Sequence, residues 1–434
     1  MLLSAVIGMS AAFGQDEPKT TVIDIPFADI PYNIDNGGRF PSMYQSLAIT
    51  RDTYAVSHGL FGLAYDGHPV ASLLLSGAND MFLLAFLPGA DAWVHEEGHR
   101  AVMGQYGIES YNEIYNMDIW SETVSVSHIK DEDLAWLKAN HPADMVRLHE
   151  AGIEMEYEWI DSSREEFFFS GKSTRFERVG WVYSTLNSVF YIQSCTTTET
   201  DRETDKFNEK ESTIKERDFT GMDFTAWVYD LHRPHEPYAA RGIHPLGNGY
   251  DRYIRYSDLT SKEKRYLKQQ YYLSFLNFVS PQFIGFDSFI IETSGGEAIL
   301  WNGALAHYLT SFGSSSEMHI YAIYGEYSIS GALRLYRNEH LNLPGIDVTL
   351  HRLRIEGLPL VFTGGLALWL QPKDQMFHSC AARPGAAAEV EASYPLTERS
   401  DAYAAIHAKS EGWQAGEVSL AASADARAGI RMRF

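Results

Sequence analysis

The chain predicts an α+β fold: a mainly helical region up to about residue 316, then an antiparallel, barrel-like β region of about eight strands. Two observations carry this. Apolar residues recur at helical spacing in several segments of the first part, two of them opened by helix-start signals. From about residue 317 the apolar period falls to two, as in strands with two different faces.

Size and charge bound the rest. With 434 residues, 45% of them apolar, the chain can bury at least one large core, and its length suits two or three domains. A net charge of -22 argues against a phosphate-binding surface, so no nucleic-acid partner is expected. Residues 1–14 read as a secretory signal peptide: an apolar run from Leu2 to Ala12, then the small residues Ala12 and Gly14 placed for cleavage before Gln15. Export is therefore expected, although no basic residue precedes the run. Cys195 and Cys380 are the only cysteines, and they are either one disulfide or two free thiols.

Element by element, "PVASLLLSGANDMFLLAFLPG" is the most apolar stretch. Asn79, Asp80 and Pro88 interrupt it before it reaches the roughly 20 apolar residues of a spanning helix, so a buried core helix is expected. Asn140 or His141 ahead of Pro142 opens a second helix, with Met145, Leu148, Gly152, Met155 and Trp159 on one stripe. Residues 196–218 are dense in charge and poor in apolar groups, which predicts a solvated surface loop or a disordered insertion. Thr260 stands three residues before Glu263, a capping-box spacing, and Ser280-Pro281 closes that aromatic-rich helix.

The strands then follow. In "PGAAAEVEASYPL", Ala386, Ala388, Val390, Ala392 and Tyr394 share one face, and Glu389, Glu391 and Ser393 the other. "SDAYAAIHAKS" sets Ala402, Ala404, Ile406 and Ala408 against Tyr403, His407 and Lys409. "EYSISGALRLYR" sets Ile329, Leu333 and Leu335 against Ser328, Ser330 and Arg334. At the end, Ala426, Ala428, Ile430, Met432 and Phe434 alternate with Asp425, Arg427, Gly429, Arg431 and Arg433. The expected organisation is a signal peptide at 1–14, a helical domain at 15–316 with its charged loop at 196–218, and a β domain at 317–434.

This last part, about a quarter of the chain, resembles bacterial outer-membrane β-barrel proteins. Each run is long enough for a tilted crossing of roughly 9 to 11 residues, and the chain ends on an aromatic, Phe434. The resemblance implies a location in the cell outer membrane, with apolar side chains toward lipid and charged ones in the lumen. Tyr327, Tyr336, Trp369, Tyr394 and Trp413 stand near predicted strand ends, and are either members of interfacial aromatic girdles or ordinary strand residues.

The chemistry rests on "DAWVHEEGHRAVM". On a helix, positions four apart share a face, so His95 and His99 can offer nitrogens to one ion with Glu96 one step round. His95-Glu96-Glu97-Gly98-His99 resembles the HExxH motif of zincin metallopeptidases. It departs in its charged Glu97, and in Gly98, which weakens a helix interior by up to about 1 kcal/mol. The metzincin extension is absent, because Val102 and Gln105 stand where Gly and His are required. A gluzincin-like site takes a Glu from a later helix, and Glu150, Glu154, Glu156 and Glu158 are available. Glu154 is preferred because Ala151-Gly152 lets two helices approach closely, though the helical wheel does not decide among the four. Asp287, in "NFVSPQFIGFD", is a rival from outside that helix.

The zincin resemblance implies zinc as cofactor, His95, His99 and Glu154 as ligands, Glu96 as general base, and a peptide or protein substrate. His232, His235, His244, Tyr250 and Arg252, in "HRPHEPYAARGIHPLGNGYDRY", either line the cleft or form a surface loop. Two functions are thus expected. The first is an exported zinc metallopeptidase anchored in or at the outer membrane, its catalytic part periplasmic. The alternative is a non-enzymatic outer-membrane barrel or structural protein with an incidental HExxH helix.

Overall fold

The computed structural model describes residues 22–65, 69–84, 91–116, 124–169, 178–210, 213–293 and 296–433. The signal segment expected at 1–14 and the terminal Phe434 lie outside them. Strand β1 (Val22–Ile30) opens the chain. The helices that follow are α1 (Tyr32–Asp35), α2 (Met43–Tyr65), α3 (Pro69–Leu84) and α4 (Asp91–Gln105), then, beyond the short strands β2 (Tyr111–Asn112) and β3 (Val126–Ser127), α5 (Asp131–Asn140) and α6 (Pro142–Phe169). α7 (Arg178–Ser194), α8 (Glu199–Lys210), α9 (Asp223–His232) and α10 (Ser261–Ser274) complete the helical part. The strands after it are β4 (Phe289–Glu292), β5 (Ala298–Thr310), β6 (Gly313–Tyr324), β7 (Tyr327–Arg337), β8 (Asn342–Arg354), β9 (Val361–Pro372), β10 (Ala382–Thr397), β11 (Ser400–Lys409) and β12 (Ser423–Arg433).

The α+β class holds, with helices in the first half and a large antiparallel sheet after it. That sheet has ten strands rather than about eight, in the order β1-β12-β11-β10-β9-β8-β7-β6-β5-β4, and it is not closed: no ladder joins β1 to β4 among the described residues. Seven of the ten, β6 to β12, reach or follow residue 317; β4, β5 and the N-terminal β1, which pairs antiparallel with β12, lie before it. The expected boundary at 316/317 falls inside β6.

The register shows which way the sheet faces. Met318, Leu333, Ile346 and Leu368 are cross-strand neighbours on β6 to β9, and all four are exposed. Val390 and Ile406 extend the same apolar face on β10 and β11. The opposite, concave face is charged. Arg431 pairs with Glu391 and Asp24, Arg433 with Asp401, and Arg427 with Glu417. The three arginines that share one face of β12 are thus each matched by a carboxylate, the buried Arg427 among them.

α6 packs into that concavity. Tyr308 on β5 donates to Glu158 Oε1 at 3.0 Å, and Arg164 Nη2 donates to the Asn277 carbonyl at 2.6 Å. Trp181, Phe224, Trp227, Tyr308, Tyr336 and Trp413 belong to one buried cluster that runs from helices to sheet. The α10 capping box forms as expected, with Thr260 N donating to Glu263 Oε2 at 2.6 Å.

Four expectations fare differently. α3 is not the fully buried core helix expected: of its described side chains it buries Leu83, Ser76, Asn79 and Asp80 and exposes Leu74, Leu75, Met81 and Phe82, and residues 85–89 of the predicted stretch lie outside the described residues. The charged stretch within 196–218 contains α8, which buries a stripe of Thr200, Thr204 and Asn208; a polar stripe at helical spacing escapes a search for apolar ones. Of the girdle aromatics, Tyr327 and Tyr394 are exposed near strand ends, whereas Tyr336, Trp369 and Trp413 are core residues. Cys195 and Cys380 are both free thiols, the first buried and the second exposed.

Candidate metal centre

α4 is buried along nearly its whole length, with Asp91 in its first turn, where a carboxylate meets the positive end of the helix dipole. It packs against α6 at glycines. A Cβ on Gly98 would lie 2.5 Å from the Ala151 carbonyl oxygen, so the residue that weakens the helix is the one that lets the two backbones meet. Glu97 is fully buried and binds Arg100, Asn112 Nδ2 at 3.0 Å and the Tyr115 hydroxyl at 3.1 Å. Both departures from the zincin pattern therefore have local structural reasons.

His95 and His99 face α6 together. Nδ1 of His95 lies 2.7 Å from Glu156 Oε1, and Nδ1 of His99 lies 2.6 Å from the Leu148 carbonyl oxygen. These bonds fix both rings and turn both Nε2 atoms toward one point above Gly152. A Cβ on Gly152 would overlap Nε2 of both rings, at 2.5 Å from that of His99. Asp223, the first residue of α9, closes the third side. Its Oδ2 is 2.9 Å from His95 Nε2 and 3.4 Å from His99 Nε2, and all three residues are buried.

The donors fit a metal. Ligand distances of about 2.0–2.1 Å in a tetrahedral shell put donor atoms roughly 3.3 Å apart, close to the 2.9 and 3.4 Å from Asp223 Oδ2 to the two imidazole nitrogens. His99 Nε2 is buried and makes no hydrogen bond, a cost that a cation would remove. Two imidazoles and one carboxylate also leave a fourth position open, as in hydrolytic zinc sites. Burial disfavours a charged His95, but Asp223 and Glu156 outweigh it and raise its pKa well above the usual value. Burial likewise pushes the Asp223 carboxyl up, yet His99 and His95 hold it well below the ordinary range.

Glu96 lies one step round the helix from His95 and is buried, its carboxyl pushed up to about 8 chiefly by burial, with the His95 charge opposing. Glu154 is not at the centre. Both its oxygens are engaged elsewhere, by Arg147, by Trp413 Nε1 at 3.0 Å and by Gly416 N at 2.8 Å. Asp223 stands where Glu154 was expected. Glu150 joins the same Arg147–Trp413 group, Glu158 faces Tyr308, and Asp287 lies beside Asn302. Glu156 takes a different role, orienting His95 instead of reaching the ion.

The loop from His232 to Tyr253 does not line the centre. Arg252 is buried against Asp131 and the Ile129 carbonyl, Tyr250 N donates to Asp131, and His232 packs on Phe377. Sequence reading missed Asp223 and Tyr191. The Tyr191 hydroxyl accepts from Asp223 N at 3.2 Å, and its ring lies 5.8 Å from that of His95. The available signal for Asp223 was an acidic residue opening an apolar helix, which also describes an ordinary N-terminal carboxylate. His407, Glu417 and Asp425 form a second group within ligand range, but Arg427 already supplies a positive charge to Glu417. No protein-family model, curated protein or solved structure matches this chain.

Proposed function

We propose that this protein is an exported, zinc-dependent metallopeptidase that hydrolyses peptide bonds and is anchored in the outer membrane by its sheet. The convergence of His95 Nε2, His99 Nε2 and Asp223 Oδ2 over the bare face of Gly152 carries the catalytic half. His95, His99 and Asp223 hold the metal, and Glu156 and the Leu148 carbonyl hold the two rings. When bound, zinc supplies the Lewis acidity that brings a water's pKa toward about 7. The charge of a bound zinc ion would lower the Glu96 carboxyl from the value that burial gives it, and as a carboxylate Glu96 would take the proton from the attacking water and return it to the leaving amine. Tyr191, whose oxygen accepts from Asp223 N, keeps its own hydroxyl proton to donate to the developing oxyanion. The sheet supports the membrane half: its apolar side chains are outside and its charges inside, the reverse of a water-soluble sandwich and the arrangement that lipid requires.

Metal analysis of the full-length protein and its variants, beside a general peptidase assay, tests the scheme. Wild type should carry zinc, and His95→Ala, His99→Ala and Asp223→Asn should lose it. Glu96→Gln should keep zinc while activity falls by a factor on the order of 10² to 10⁴. Glu154→Gln should also keep it. Wild-type protein prepared without chelator and found to hold no divalent metal would overturn the enzyme reading and leave a non-enzymatic outer-membrane protein.

A further inference from the structure

The ten-stranded sheet ends on two strands, β1 and β4, that no ladder joins among the described residues. In lipid, open edges with unpaired backbone groups are excluded. The helices run from one edge to the other. Asp24 N on β1 donates to Asp52 Oδ1 on α2 at 2.8 Å, and Tyr44 on α2 meets Tyr403 on β11 at 3.1 Å between hydroxyls. α2 joins α3 through Ser57 and Asn79 at 2.7 Å and through His58 and Asp80. α3 joins α7 through Gly180 N and Asp80 Oδ2 at 2.9 Å. On α7, Trp181 packs on Phe283 with ring centroids 4.5 Å apart, and the nearby Val279 carbonyl accepts from Leu305 N of β5 at 2.8 Å. The circuit β5 to β12, β1, α2, α3, α7 and back to β5 is complete.

These three helices carry exposed apolar side chains on their outer faces, as the sheet does. α2 buries Met43 and Tyr54 beside Ser46, Thr50 and His58 and exposes Leu60 at 66%; α3 buries Leu83 beside Ser76, Asn79 and Asp80 and exposes Leu74 at 68%, with Leu75, Met81 and Phe82 also exposed. α7 buries Trp181, Val189 and Ile192 beside Ser184, Thr185 and Ser188 and exposes Phe190 at 57%. Contiguous exposed apolar surface of this kind marks a face that meets something other than water. α3 and α7, with 16 and 17 residues, extend about 24 to 26 Å at 1.5 Å per residue, the height of the roughly 25 Å apolar band of outer-membrane barrels. Among the described residues no helix is long and apolar enough to cross a membrane on its own.

We propose that the bilayer-facing wall is mixed: α2, α3 and α7 close the gap left by the strands and carry lipid on their outer faces. This rests on the membrane reading given above, with acyl chains as the occupant because the helical surface continues the apolar face of the sheet. The test uses full-length protein reconstituted in phosphatidylethanolamine–phosphatidylglycerol vesicles. Spin labels are placed singly at Leu60→Cys, Leu74→Cys, Phe190→Cys and, on the sheet, Leu366→Cys, in a Cys195→Ala, Cys380→Ser background. Collisions with oxygen and with an aqueous nickel reagent are compared. The expected result is oxygen-rich, nickel-poor accessibility at all four positions. Lipid exposure at Leu366→Cys with nickel access at the helix positions would overturn the mixed wall and leave the membrane reading intact. Helix labels that neither reagent reaches would overturn it in favour of a second copy of the chain covering that face. Water exposure at Leu366→Cys would remove the membrane reading and this inference together. Photo-crosslinking of wild type by a lipid probe, mapped by mass spectrometry, gives the same answer without labels: adducts on α2, α3 or α7 are expected, and adducts confined to strands would refute it.

Discussion

Gly152 shows how much of the centre depends on the absence of one atom. Its bare face is the space into which two imidazole nitrogens converge, so Gly152→Ala should abolish metal binding although Ala favours a helix by about 1 kcal/mol. Zinc content and far-UV circular dichroism of the purified variant check this: the metal should be lost and the helix signal kept. Glu156→Gln is the complementary case. It keeps the volume but weakens the acceptor on His95 Nδ1, and loss of such an outer partner lowers metal affinity by roughly 10- to 100-fold. Competition with a chromogenic chelator measures that drop, and an unchanged affinity would refute the orienting role. That His95 and His99 share one face was legible from spacing, because four residues on a helix is a geometric fact. Asp223 was not, since its partners are distant in sequence and only packing brings α9 to α4.

At the scale of elements, α9 is fastened by a second buried charge group. Asp230 binds Lys138 of α5, His149 Nε2 of α6 at 3.0 Å and Arg241 Nη2 at 2.6 Å. Burial alone would raise the Asp230 pKa, but Arg241 and Lys138 outweigh it and hold the carboxyl far below 3.8. A depressed carboxylate stabilises the fold above its unfolded pKa and loses that contribution as pH falls through the folded one. Asp230→Asn should therefore cost about 3–5 kcal/mol near neutral pH, because two buried cations lose their partner. The difference from wild type should stay constant down to about pH 5 and narrow below about pH 4, as read from denaturant unfolding across that range. α3 and α8 were misread at this scale for one physical reason. Burial was inferred from apolar character, and both helices bury polar side chains, some of them bonded to residues distant in sequence: Asp80 to His58 and Asn208 to Asp251.

For the whole molecule, the direction in which the sheet faces decides the environment. Leu366→Arg puts a charge on the outer face, cross-strand from Val348 and Ala388. In a bilayer it should cost about 2–4 kcal/mol near the midplane, whereas an exposed site in water would change stability by no more than about 0.5 kcal/mol. Urea unfolding from vesicles separates these outcomes. A charge on the concave face at Thr349, where Arg334 and Asp347 line a cavity of about 280 Å³, should be tolerated far better.

Alternation along β7, β10, β11 and β12 was legible residue by residue, because a strand has a period of two and its two faces meet different surroundings. The paired histidines and the capping box of α10 were equally local, each resting on spacings of three or four. Tertiary structure alone decided that β1 closes onto β12, that Asp223 stands where Glu154 was expected, and that three helices run from one sheet edge to the other. Each of these joins residues far apart in the chain, and such pairings depend on which surfaces can be buried together, a property of the packed molecule that no local period encodes.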